Sequence, residues 1–342
     1  MDDARRERLR AWLAHAAGDP ALGVATAERL AGGAIQQNWG LTVRFGDGRE
    51  DRWVLRTDNA ATLAASHGRI EEYALLRAAH DAGVTVATPL FACPDAEVLG
   101  APFLVMRRVD GIAAAHRVVK WEAVGGGREQ AARAMGRELA RIHAIRPPRQ
   151  DLPFLGTPPD DPCLAFCEAQ ERALDAARDP HPILEWGLRH LRRTAPAPLA
   201  AVLCHNDFRT GNILWTDTHL AAVLDWEFAA WGDPHADLGW LCARCWRFGN
   251  LAMEAGGVGP RAALYAGYRE AGGELPDPER VAWWELAAHL RWATIALAQG
   301  ERHLSGREPS LELALTPHIV PELEWHLLAE VARREALAER AA

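Results

Sequence analysis

Cysteine is scarce in this chain: six in 342 residues, too few for a disulfide scaffold, which points to free thiols and a cytoplasmic setting. No dense Lys/Arg stripe appears, and formal net charge is −8, so no nucleic-acid partner is expected. The acidic balance tolerates a cationic substrate without demanding one. No apolar run reaches the roughly 18 residues of a membrane span. The first residues, MDDARRERLRAWLAH, lack the apolar stretch of a secretory signal. Internal repeats and low-complexity segments are missing too. The pairs Cys163/Cys167 and Cys242/Cys245 have spacings that invite a zinc site. Both fall in helix-like segments without a knuckle-like Gly turn, and small hydrophobes packed in a core are the simpler reading.

What remains is ordinary globular material, 49% hydrophobic and 25% charged, in a chain long enough for a large core and two lobes. Residues 2–17 read as an amphipathic helix. Strand signals fill 25–56, broken by the GDG turn at 46–48. Helical period follows over 62–82, ending at Gly83. Strand-like segments return at 86–92 and 97–108. Beyond residue 111 the pattern turns helical: 128–145, stopped by Pro147–Pro148, then 163–178 and 182–193 after a Pro-rich loop. Two short strand-and-loop units come next, and 234–342 is mostly helical. The division expected is a β-rich lobe over 1–108 and a helical lobe with a small sheet over 109–342, an α+β arrangement.

The chemistry concentrates in the two strand-and-loop units. In LCHNDFRTGNIL (203–214) an apolar run opens onto His205, Asp207, Arg209 and Asn212. In AAVLDWE (221–227) a second apolar strand ends in Asp225. An Asn amide and an Asp carboxylate are hard oxygen ligands that suit Mg²⁺ together with substrate phosphates. Asp207 is then free to orient a hydroxyl and accept its proton, the division of labour in phosphoryl transfer. Each residue alone is common in a turn. The four together, followed by WGDPHADLGW, point to a site.

HNDFRTGN (205–212), LDWE (224–227) and GDPHADL (232–238) resemble the aminoglycoside phosphotransferase (APH) family, a branch of the protein-kinase-like superfamily. The resemblance spans about residues 25–325. It implies a bilobal protein-kinase-like fold, ATP as co-substrate and Mg²⁺ held by Asn212 and Asp225. It makes Asp207 the catalytic base, with His205 bracing the loop and Asp237 fixing it from the following helix. Arg209 either faces substrate or pairs with a local acid. Glu227 either backs the metal or serves as a structural acid.

The first lobe should then supply a loop over the phosphates, a strand cation and a helix acid that pairs with it. Gly32 and Gly33 of GGAIQQNWG fit the loop. Arg56 of EDRWVLRT stands where protein kinases use Lys, and Arg can grip phosphate bidentately. Glu72 shares a helix face with Leu75, Leu76 and Ala79 and wants such a partner; Glu71 is its neighbour. The backbone at Met106, Arg107 and Val109 would meet adenine. The expected reaction is phosphorylation of a small-molecule hydroxyl, on a hydroxyacyl-CoA-like metabolite or an aminoglycoside-like compound. For the latter, Glu168, Glu171 and Asp175 are the candidate acids. Two other readings stay open, a pseudokinase that binds nucleotide without turnover and a metal-dependent hydrolase drawing on His205, Asp233 and His235. ATP against GTP and oligomeric state are not written in the sequence.

Overall fold

The computed structural model describes residues 1–30, 36–58 and 66–341. It is a bilobal α+β fold. The first lobe runs α1 (Asp3–Ala16), β1 (Gly23–Arg29), β2 (Gln36–Arg44), β3 (Glu50–Asp58), α2 (Arg69–Asp81), β4 (Pro89–Cys93), α3 (Ala96–Leu99) and β5 (Phe103–Arg107). The second begins with α4 (Ala115–Val118), α5 (Arg128–His143), α6 (Pro162–Asp175) and α7 (Pro182–Arg193). It continues with β6 (Val202–Cys204), β7 (Ile213–Trp215), β8 (Leu220–Val223), β9 (Ala230–Gly232) and α8 (Pro234–Cys242), and closes with α9 (Arg261–Glu270), α10 (Pro278–Leu304), α11 (Leu311–Leu315) and α12 (Val320–Ala341). Among the described residues no helix is long and apolar enough to cross a membrane.

The first-lobe sheet is antiparallel in the order β1-β2-β3-β5-β4. Strand period two sorts its side chains. Trp53, Leu55, Phe103 and Val105 face α1 and pack with its Leu9 and Leu13. Leu104 and Met106 face the other way, into a core that joins Leu75, Leu76 and Ala79 of α2 to Leu139, Phe208 and Trp226 of the second lobe. Arg56, between Leu55 and Thr57, therefore looks onto α2 and the cleft. A third core unites α6, α7, α10 and α12 around Leu191, Leu290 and Leu327.

Two boundaries differ from the sequence expectation. The helix expected from residue 62 starts at Arg69; Gly68 is extended (φ −68°, ψ 171°). The reason is tertiary. The His67 N–H donates to the Glu227 carbonyl at 2.8 Å, and its Nε2 lies 2.7 Å from the Ala229 carbonyl, so this segment is tied to the other lobe. The run expected as one strand over 97–108 splits into α3 and β5, with Gly100 in the left-handed region (φ +94°) ending the helix.

Candidate active site

The β7–β8 hairpin brings two of the candidate residues together. Leu224 N–H donates to the Asn212 carbonyl at 2.8 Å, so Asn212 opens the hairpin where Asp225 leaves it. Asn206 (φ +61°) and Asp225 (φ +66°) are left-handed, a region Asn and Asp enter more readily than other side-chain-bearing residues. His205 is fully buried. Its Nδ1 accepts the Asp207 N–H (3.2 Å), which leaves Nε2 to donate to the Leu224 carbonyl (2.9 Å). Both ring nitrogens are thus engaged in holding the loop.

Asp237, buried on α8, accepts the backbone N–H groups of His205 (2.7 Å) and Asn206 (2.8 Å). His143 Nε2 adds a third bond at 3.2 Å, and its Nδ1 lies 2.8 Å from the Tyr268 hydroxyl. Burial alone would push the Asp237 carboxyl up, but the His143 bond and the loop amides hold it below its ordinary value. His143, Cys204 and Asp237 also have the proximity of a metal cluster. Their bonds to the loop, to Tyr268 and, for Cys204, to the Asp233 carbonyl (3.2 Å) account for them as a brace.

Asp207 is held on both oxygens. Asn212 Nδ2 donates to Oδ2 at 2.6 Å, Trp240 Nε1 to Oδ1 at 3.0 Å, and Arg209 Nε to Oδ1 at 3.0 Å. The Arg209 guanidinium sits over the Trp246 ring, 4.9 Å from its centroid. Because the Asn212 nitrogen is turned to Asp207, its Oδ1 is left for another partner.

A chain of charges, buried except at the half-buried Asp225, crosses the cleft. Arg56 places Nη1 2.8 Å from Glu72 Oε1 and Nη2 3.1 Å from Asp225 Oδ1. Glu72 is also bound by Arg69, whose Nη2 is 3.4 Å from Glu227 Oε2. Two cations thus meet three carboxylates. Asp225 is depressed despite its burial, because Arg56 stands beside it. Burial, then the charge of Asp225, raises Glu227 to about 7. Arg69 was missed in the sequence, where only its place three residues before Glu72 on a helix could have signalled it.

Gly32 and Gly33 fall outside the described residues. Met106 and Arg107 are paired inside the sheet, opposite Val54 and Trp53. The amides of Arg107 and Arg108 donate to the carbonyls of Thr88 and Arg52, and the Arg107 side chain meets Asp51 on the surface (3.1 Å). The Val109 N–H, just past the strand, has no such bond among the described residues. Glu168, Glu171 and Asp175 are exposed, and Glu171 pairs with Arg192 at 2.9 Å. Asp233 caps α8 through the His235 N–H and is bound by Arg280 (2.6 Å) and Trp284 (3.0 Å), which anchors α8 to α10. The paired cysteines are packed; burial pushes Cys167 up to about 11 and Cys242 up to about 12.

A model of the phosphotransferase enzyme family, APH, matches residues 5–284. Mouse acyl-CoA dehydrogenase family member 10 is 32% identical over 200 residues, which is 55% of this chain and 18% of that protein. Mouse family member 11 is 25% identical over 79% of this chain and 36% of its own length, so the chain spans well under half of these curated relatives. Among solved structures, an aminoglycoside phosphotransferase-type protein of Ralstonia eutropha JMP134 superposes with TM-score 0.71 and 19% identity, over 96% of this chain and 98% of that one. Spectinomycin phosphotransferase, solved with ADP and spectinomycin, gives TM-score 0.58 and 13% identity over 95% and 98%. At these identities the structures speak to the fold, which is kinase-like.

Proposed function

The chain belongs to the phosphotransferase enzyme family, and from that premise we propose that it transfers the γ-phosphate of ATP to a hydroxyl of a small molecule. One observation carries the reading: Asp207 and the Asn212–Asp225 pair share one hairpin end, and Arg56 reaches the same point from the other lobe. In the step, the acceptor oxygen bonds to phosphorus, the bond to the ADP oxygen breaks, and the hydroxyl proton passes to Asp207. Asn212 and Trp240 fix the rotamer of Asp207, so its carboxylate meets the hydroxyl at a set angle. Arg56, fastened by Glu72, takes the phosphate-binding place of the usual lysine. The Val109 N–H, without a backbone partner among the described residues, would meet the nucleobase. Asn212 Oδ1 and the Asp225 carboxylate oxygen not engaged by Arg56 are the hard donors that would hold Mg²⁺, which when bound neutralises phosphate charge.

A hydroxyacyl-CoA or related hydroxylated metabolite is the leading acceptor, supported by relatives named as acyl-CoA dehydrogenase family members; an aminoglycoside-like compound is the other class. A cytoplasmic setting, with ATP at hand, belongs to this reading, and six unbridged cysteines suit a reducing compartment. The test is ADP release by the purified protein with Mg²⁺–ATP and a panel of hydroxylated acceptors. Asp207→Asn should lower acceptor-dependent turnover by roughly 10²–10⁴-fold and keep nucleotide-induced stabilisation. If Mg²⁺–ATP neither turns over nor raises Tm, the assignment of Arg56, Asn212 and Asp225 fails. Stabilisation without turnover on any acceptor would favour a pseudokinase.

A further inference from the structure

Beside Asp207 the second lobe holds a cavity of about 350 Å³, near the small end of the range for ligand pockets (about 300–1,000 Å³). Its walls are aromatic: Phe166 of α6, Trp231 of β9, Trp240 of α8 and Trp284 of α10. It shares two groups with the catalytic loop. Trp240 is the residue whose indole N–H donates to Asp207, and the Asn206 carbonyl, one residue before Asp207, accepts Arg291 Nη1 at 2.8 Å. A molecule filling the cavity would touch Trp240 and Asn206, the bond partner and the chain neighbour of the base, while Asp207 itself is not part of the wall.

The charge of the cavity is unusual for a site built to take amines. Its wall contains one carboxylate, Asp233, fully buried and engaged on both oxygens by His235, Arg280 and Trp284. The acids of α6 lie on its exposed side. Arg291, by contrast, brings a guanidinium whose carbon sits 4.6 Å from the Trp240 ring centroid. Of its five N–H donors, the bond to Asn206 is the one made among the described residues. Burial lowers its pKa, yet a guanidinium stays charged. An aromatic wall alone can hold a quaternary ammonium, but here a cation already occupies the face of Trp240. A polycation would be desolvated beside Arg291 with no free acid in the wall to meet it, which is rejection by unpaired charge.

Resting on the phosphotransferase reading above, we propose that this cavity is the acceptor site and that Arg291 selects for a carboxylate or carbonyl oxygen near the reacting hydroxyl. The substrate class is a hydroxy acid or its acyl derivative; amino sugars and amino alcohols are excluded. Arg291 gives a planar fork that matches two oxygens, and the aromatic walls take the apolar body.

The test uses 3-hydroxyoctanoate, its methyl ester, choline and kanamycin as acceptors, with two readouts: ADP release, and quenching of tryptophan fluorescence on binding. The hydroxy acid and its ester should be phosphorylated; choline and kanamycin should not. Arg291→Gln should raise KM for 3-hydroxyoctanoate at least tenfold, with a smaller change in kcat and a smaller rise for the ester. Arg291→Lys, which keeps the charge and loses the fork, should fall between; it carries the test if Arg291→Gln does not fold. Preference for kanamycin or choline, or an unchanged KM in the Arg291 variants, overturns the proposal. If no acceptor turns over, the phosphotransferase reading fails separately. Fluorescence then decides the pocket: binding of 3-hydroxyoctanoate weakened at least tenfold by Arg291→Gln upholds its selectivity, and equal or absent binding overturns it.

Discussion

His289 shows how far this fold sets a single side chain's protonation. It sits on α10, buried, with Nδ1 2.7 Å from the Glu285 carbonyl and Nε2 without a hydrogen-bond partner among the described residues. Nδ1 is therefore the protonated nitrogen of a neutral ring. Burial lowers its pKa from 6.5 to about 4, and the backbone bond offsets this only in part. Between those values the unfolded chain binds a proton that the folded chain refuses, so stability falls as pH drops from 6.5 towards 4 and levels off below. From pH 7 to pH 5 the loss from this residue is about 2 kcal/mol. Urea denaturation at the two pH values, on the native protein and His289→Phe, should show that much less pH dependence in the variant. His326, whose ring centroid is 5.7 Å away, is present in both proteins, so its own titration cancels to first order. Equal pH dependence in the two would mean His289 is protonated in the fold. At the site partners outweigh desolvation: Asp237 is fully buried and Asp225 half-buried, but each has partners that favour its charge.

Elements hold the loop over 205–212 by backbone contact as much as by side chains. Helices α5 and α9 cross where Gly136 and Gly267 face each other's main chain. A Cβ on Gly136 would lie 2.0 Å from the Leu264 carbonyl oxygen, and one on Gly267 the same distance from that of Arg133. Gly267→Ala must spread the helices, and overpacking of this kind costs about 1–3 kcal/mol. It would also shift the adjacent Tyr268 away from His143, and through it Asp237 and the loop. Urea unfolding should show the loss, and turnover should fall more than in Tyr268→Phe, which drops the hydroxyl and leaves the crossing intact. Turnover at the native level in folded Gly267→Ala would break this chain of support. Much of the arrangement was legible beforehand, because residues such as Asp207 and Asn212 are near neighbours in sequence at strand ends. Period two turned Arg56 towards the cleft, and helical spacing put Glu72 on a buried face. Arg69 had only its spacing three residues before Glu72 as a signal. The partner roles of Trp240 and Arg291 were not legible, since they arrive from α8 and α10 through packing that no local pattern encodes. The helix start was misread for the same reason: His67 is held by carbonyls 160 and 162 residues away.

Over the whole molecule, the question is what makes two lobes behave as one. Part of the answer is apolar, since α2 contributes Leu75, Leu76 and Ala79 to a core shared with the second lobe. The other part is the charge chain Asp225–Arg56–Glu72–Arg69–Glu227, which runs from one lobe to the other and back. The chain has a single lysine, the exposed Lys120, so arginine supplies the cations here, and its forked donors let each reach two acids at once. Arg69 is 1% exposed and Glu72 0%. Arg69→Met would leave one cation for the buried Glu72 and Glu227 and the half-buried Asp225, and removing one partner of a buried set costs about 3–5 kcal/mol. The loss should fall on the tie between lobes. Calorimetry should then show the one native transition broaden or split, with the first lobe melting earlier. Adding Glu227→Gln to Arg69→Met removes the acid stranded by the first change, and the double variant should recover much of the lost stability, a coupling readable as a double-mutant cycle. A native Tm and a single sharp transition in Arg69→Met would show instead that the shared apolar core alone joins the lobes, with the ion chain serving only to aim Arg56.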